Sequence, residues 1–256
     1  MEKSKKIGFL QLNNEVFSNS IKRIDLNIIL IVVLDALFYF ALNFILVFWQ
    51  NAVELKRSSI NVPAPEELAI LGYGKTQEIL SQGKSFLFFM IFSTILVIIT
   101  IIFLTSVFKG IIWARTAKTN LSLNFLSKFL VLNLIWMGFW FLILILISLL
   151  VDPYFVALYS AIAILVGLFF AGTIYTIFMK KQNLKSITAG IRLNIAKIHL
   201  MLLPYGLIFL VLYIILKISG IFNFQYSAIV LYAVLIAYSA LIRYYISELV
   251  LRIEHR

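Results

Sequence analysis

Long apolar runs, broken by short segments that carry most of the Lys and Arg residues, set the pattern of this chain. A bilayer core about 30 Å thick is crossed by roughly 20 apolar residues in a helix rising about 1.5 Å per residue. Six runs reach that length: residues 26–49, 86–108, 129–151, 154–179, 200–217 and 226–250. Because the runs are continuous they predict helices; barrel strands would alternate over about 10 residues. The third stops at Asp152-Pro153, where Pro cannot prolong the preceding helix. The first is too long for a signal-peptide core and no small-residue cleavage pattern follows it, so it reads as a retained span. The fold class is therefore all-α: a polytopic membrane bundle of six helices in a single integral membrane domain over residues 1–256.

Each segment ahead of an odd-numbered span ends in a short amphipathic stretch. Phe17, Ile21, Ile24 and Ile28 recur at helical spacing, with Lys22 and Arg23 turned away. Leu123, Leu126 and Leu130 do the same, with Lys128 off the stripe. Ile187, Ile191, Ile195 and Ile198 make the third stretch, with Arg192 and Lys197 on another face. Such helices lie at the headgroup level, apolar side down and cations toward anionic lipid. On one reading the chain is a threefold repeat of interfacial helix plus transmembrane hairpin. On the other, each stretch is only the start of a span. The outer connection over residues 50–85 is much longer than the others and holds Pro63, Pro65, Gly72, Gly74 and Gly83. Within it Pro65-Glu66-Glu67 predicts a helix start, with Gly72 as its end. A loop of this length is the expected place for an external contact.

Composition sharpens the picture. Apolar residues make up 62% of the chain and charged ones 13%, against about 25% charged in a soluble domain. That excludes an ordinary water-soluble fold and a disordered one alike. The formal charge of +11 does not point to nucleic acid, because the cations lie in the connections between apolar runs. Segment 1–25, the second and fourth connections and the C-terminal end hold seventeen Lys and Arg, counting Lys109 with the second connection; the other side holds five. Basic residues are retained on the cytoplasmic side during insertion, which predicts both termini in the cytoplasm of a cell-membrane protein. Lys22, Arg23, Arg115, Lys118, Lys128, Lys180, Lys181, Arg192 and Lys197 are the candidate contacts for anionic lipid headgroups. The chain has no Cys, which excludes disulfides, thiolate nucleophiles and thiolate-bound metals.

Candidate chemistry inside the membrane is sparse. Asp35 lies near mid-depth of the first span, where an ionised carboxylate costs about 2.5–3.5 kcal/mol on insertion scales. Arg243, entering the sixth span from the opposite chain direction, is its natural partner. As a functional group Asp35 would be a proton or cation site; as a structural one it would pair with Arg243 and fix the first helix against the last. The structural reading is preferred, since a buried pair is poor evidence of catalysis. Asn27, Asn43, Asn133, Thr94, Thr100 and Thr173 are expected to hold helices together. Ala163, Gly167 and Ala171 repeat every four residues and permit close helix approach, within the chain or between subunits. Glu248 is expected to pair with Arg252, four residues on.

Residues 69–76 fit a relaxed phosphate-loop spelling, but the strand–loop–helix context that the chemistry requires is missing. His199 and His255 are the only histidines, and no hydrolase, metal-ligand or paired-carboxylate motif occurs. The sequence thus predicts no catalysis, cofactor or metal. It points instead to a multi-pass protein that binds, assembles or organises membrane components, with lipid and a protein partner or second copy as partners. A small-solute or ion transporter using Asp35 is the alternative, although Pro204 and Gly206 are the only helix-breaking residues near a midplane site. A membrane-bound lipid-modifying enzyme ranks third.

Overall fold

The structure, a computed structural model, describes residues 9–60, 73–221 and 226–254. Among these residues it is all-helical: α1 (Phe9–Arg23), α2 (Asn27–Ser58), α3 (Tyr73–Ala117), α4 (Leu123–Leu150), α5 (Pro153–Lys181), α6 (Ser186–Ala196), α7 (Ile198–Ser219) and α8 (Ser227–Glu254). Six of them, α2, α3, α4, α5, α7 and α8, are long and apolar enough to cross a membrane. Six helices of this length and composition suggest a multi-pass membrane protein. The exposed surface agrees with that class, since Phe40, Phe88, Leu149, Tyr154 and Leu202 are each at least 66% exposed, apolar surface that water disfavours.

Helix boundaries come from identifiable side chains. Asp25 Oδ1 accepts from the Asn27 backbone N–H at 3.1 Å and starts α2 after the α1 break. Ser122 is extended and its hydroxyl accepts from the Phe125 N–H, capping α4. Asp152 caps α5 through the Tyr154 N–H, with Pro153 in the first turn, where its missing N–H costs nothing.

Two expectations change here. Most of the presumed loop over residues 50–85 is helix: α2 runs on to Ser58 and α3 begins at Tyr73. The flanking stretches are rich in Glu, Leu, Lys and Gln, all good helix formers, and each residue added to an existing helix gains a backbone hydrogen bond without a new nucleus. Pro63, Pro65, Glu66, Glu67 and Gly72 lie outside the described residues. Secondly, the amphipathic stretch at Leu123, Leu126 and Leu130 is no separate helix, because the Ser122 cap leads straight into the apolar run of α4. Leu123 is exposed, and the inward stripe is Phe125, Phe129, Leu132 and Trp136. Among the described residues only α1 and α6 are short helices standing apart from a span, so the three units are unlike one another.

The chain divides into two compact units, Leu37–Leu104 and Met1–Ala36 with Thr105–Arg256. In the first, the Trp49 indole N–H donates to Ser93 Oγ at 3.1 Å, joining α2 to α3. In the second, burial gathers at one end: the last turns of α5 and α8 are buried while their opening turns are exposed. An aromatic core fills that end, with Phe129 between Tyr175 (ring centroids 5.2 Å apart) and Phe178 (5.4 Å). Gly110 admits it, since a Cβ there would sit 3.0 Å from the Phe129 ring. α1 packs on α8 through Leu12, Val16 and Ser20 and leaves Phe17 and Ile21 facing outward.

Candidate functional site

Asp35 lies about two turns into α2, Lys109 about two turns before the end of α3, and Arg243 about three turns before the end of α8. All three are therefore roughly 12–16 Å in from the helix ends of the same compact unit. Asp35 has no exposed surface. Lys109 Nζ donates to its Oδ1 at 2.7 Å. Arg243 Nη2 donates to its Oδ2 and also to Ser239 Oγ, the latter at 3.0 Å. The Lys109 and Arg243 side chains keep only 15% and 9% of their exposure. Two cations thus share one carboxylate, a surplus of one positive charge when all three are ionised. Arg243 Nη1 is buried with no hydrogen-bond partner among the described residues. Both oxygens of Asp35 are engaged by cations of other helices. In its present geometry the cluster joins α2, α3 and α8.

Toward the helix ends the same unit carries further ion pairs. Arg23 Nη1 bonds Glu248 at 2.9 Å, tying α1 to α8, and Glu248 also accepts from Arg252 at 3.2 Å. Lys118 lies 3.0 Å from Asp25, tying the end of α3 to the α1–α2 corner. That bond holds the Asp25 carboxyl below its ordinary range. Lys180 and Lys181 both reach Glu254, at 3.1 and 3.0 Å, and join α5 to α8. Four of the nine candidate headgroup cations, Arg23, Lys118, Lys180 and Lys181, are therefore bound to carboxylates of the chain itself. Lys22, Arg115, Lys128 and Arg192 are exposed and Lys197 is half-buried, and no ion pair holds any of these five among the described residues.

Uncharged polar groups inside the bundle are also spent on neighbouring helices. Tyr175 OH donates to Asn133 Oδ1 at 2.6 Å across α4–α5. Thr173 Oγ1 donates to Asn194 Oδ1 at 2.7 Å across α5–α6. The Phe169 carbonyl accepts from Asn194 Nδ2 (3.3 Å) and from Tyr205 OH (3.1 Å), which adds α7 to that network. Asn27 bonds only Asp25, and Thr100 bonds back to Leu96 O of its own helix. Gly167 faces Trp140, whose indole would be 3.2 Å from an added Cβ; Ala163 is buried beside it and Ala171 partly so. That small-residue stripe meets α4 of the same chain at Gly167.

Lys109 escaped the sequence reading because it follows Phe108 and looks like the first residue of a connection. The missed signal was Ile111, Ile112 and Trp113, which carry the apolar pattern past it. Asn194 and Tyr205 were missed because their partner is a backbone carbonyl, which no motif encodes. Arg115 and His199 are exposed and make no side-chain hydrogen bond or ion pair among the described residues, and His255 lies outside them. No group of three or more His, Asp or Glu gathers among the described residues as a metal site. An apolar cleft of 210 Å³ opens between α7 and α8, lined by Ile215, Ile218, Val230, Leu231 and Val234. No protein-family model, curated protein or solved structure matches this chain.

Proposed function

We propose that this protein binds, assembles or organises other membrane components and carries out no catalysis of its own. One observation carries the reading: the Asp35 carboxylate has no exposed surface, and both its oxygens are held by cations from other helices. A carboxylate so enclosed acts as a fastener between helices, where a catalytic or translocating carboxylate needs an approach for its substrate. Apolar surface, the α7–α8 cleft and the unpaired cations supply the contacts, with anionic lipid headgroups and a protein partner or second copy as the partners. The excess of Lys and Arg in alternate connections supports a cytoplasmic-membrane location with both termini in the cytoplasm.

Purification in mild detergent followed by mass spectrometry tests the reading. A protein or lipid retained in fixed stoichiometry is the expected result. Turnover of a substrate by the purified protein would overturn it.

Transport is the second reading, favoured by the surplus cation at Asp35 and the unpartnered Arg243 Nη1. It expects solute flux into proteoliposomes that Asp35→Asn abolishes. Flux unaffected by that substitution counts against a role for the cluster in transport.

A further inference from the structure

α6 has three distinct faces. Ser186, Gly190 and Asn194, spaced four apart, are buried against α5. The approach is close: a Cβ on Gly190 would lie 2.6 Å from Ile174 Cγ1 and 3.0 Å from its Cα. Ile195, Ile198 and Leu202 form a second, exposed face that continues into α7, with Ile195 and Leu202 63% and 66% exposed, while Ile187 and Ile191 are half-buried against the core. Lys185, Thr188, Arg192 and His199 make a third, exposed edge. In water the isoleucines would be the face that docks. Here the small and hydrogen-bonding face docks instead, as membrane packing favours, and the apolar face is left for lipid.

The charge pattern then singles out α6. Between Asp152 and Glu248 the chain has no acidic residue at all. Elsewhere at this end the carboxylates of Asp25, Glu248 and Glu254 hold Lys118, Arg23, Arg252, Lys180 and Lys181, whereas Lys22, Arg115 and Lys128 have no ion pair among the described residues. Lys185 and Arg192 make no ion pair among the described residues and lie on one edge, two turns apart. An occupant suited to this helix must offer negative charge to one edge and hydrocarbon to the next. We infer that α6 is a binding site for anionic phospholipid, its headgroup on Lys185 and Arg192 and its acyl chain along Ile195, Ile198 and Leu202. This rests on the reading above that the protein works by binding membrane components, and it names one of them.

The absence of Cys allows a clean test. A fluorophore attached to Ile195→Cys in the full-length protein is reconstituted into vesicles containing brominated phosphatidylglycerol or brominated phosphatidylcholine at equal mole fraction. Quenching by the anionic lipid should exceed that by the zwitterionic one by at least about twofold, since each basic residue near a surface attracts anionic lipid measurably. Lys185→Gln with Arg192→Gln should abolish the difference. Lys180→Gln, at a lysine already paired to Glu254, should leave it unchanged. Added inorganic phosphate should not compete, because it lacks the acyl chain. Equal quenching by the two lipids, no quenching by either, a preference surviving the double substitution, or competition by phosphate would each overturn the inference. None of these outcomes depends on whether a protein partner copurifies, so the failure of this site and of the broader reading remain distinguishable.

Discussion

The Lys109 ammonium sits 2.7 Å from Asp35 Oδ1, while the other oxygen of the same carboxylate is taken by Arg243. The acid deepest in the bundle is thus the meeting point of α2, α3 and α8, and its removal strands two cations. Asp35→Asn should cost about 3–5 kcal/mol, the usual penalty for leaving a buried charge without its partner. Thermal or denaturant unfolding in detergent reads this directly. Adding Arg243→Met should restore part of the loss, and Lys109→Met as well should restore more. Strictly additive losses across the series would remove the coupling.

Gly190 sets the distance between α6 and α5. Gly190→Ala should destabilise by about 1–3 kcal/mol, the range for overpacking, because the added methyl meets Ile174 Cα as well as its side chain. Hydrogen exchange should rise in Ser186–Ala196 before it rises elsewhere in that unit. An unchanged exchange pattern would show that α6 docks less tightly than the contact implies.

The Thr173–Asn194 bond is a second attachment of α6, independent of shape. Thr173→Val and Asn194→Leu should each cost about 0.6 kcal/mol, up to about 1.7, as measured for hydrogen bonds between membrane helices. Because they share one bond, the double variant should lose less than the two singles together. Asn194 should be the costlier, since its amide also serves the Phe169 carbonyl.

Asp25 predicts a pH dependence. Its bond to Lys118 lowers its folded-state pKa below the ordinary value. The stabilisation is therefore complete above the ordinary aspartate pKa of about 3.9 and is lost as pH falls through the lower, folded value. Unfolding midpoints of wild type and Asp25→Asn, compared between neutral pH and about pH 3, should converge on acidification. A gap that stays constant would assign the bond no part in acid stability.

The spans were legible because lipid demands continuous apolar length, a demand that composition cannot disguise. Helix extent beyond the bilayer was less so: Glu54 and Gln77 are as polar as loop residues, yet they lie within α2 and α3. Apolar periodicity did not show which face of α6 packs on the protein. Of Ile187, Ile191 and Ile195 only the last is exposed; the first two are half-buried against the core, flanking the inward face of Ser186, Gly190 and Asn194. The usual inference from stripe to core assumes water outside, and lipid removes that contrast. Asp35 and Arg243 stood out as ionisable residues deep in apolar runs. Lys109 did not, since the helix end that places it inside lies at Ala117, beyond the end of the apolar run at Phe108.

The sequence distances within that cluster have a consequence for biosynthesis. Lys109 lies 74 residues after Asp35 and Arg243 lies 208 after it. At about 5–20 residues per second, the ribosome delivers the first counter-ion roughly 4–15 s after the acid and the second about 10–40 s after it. The span α2 is therefore made well before either of its counter-ions, and α8 closes an assembly that α2 opened.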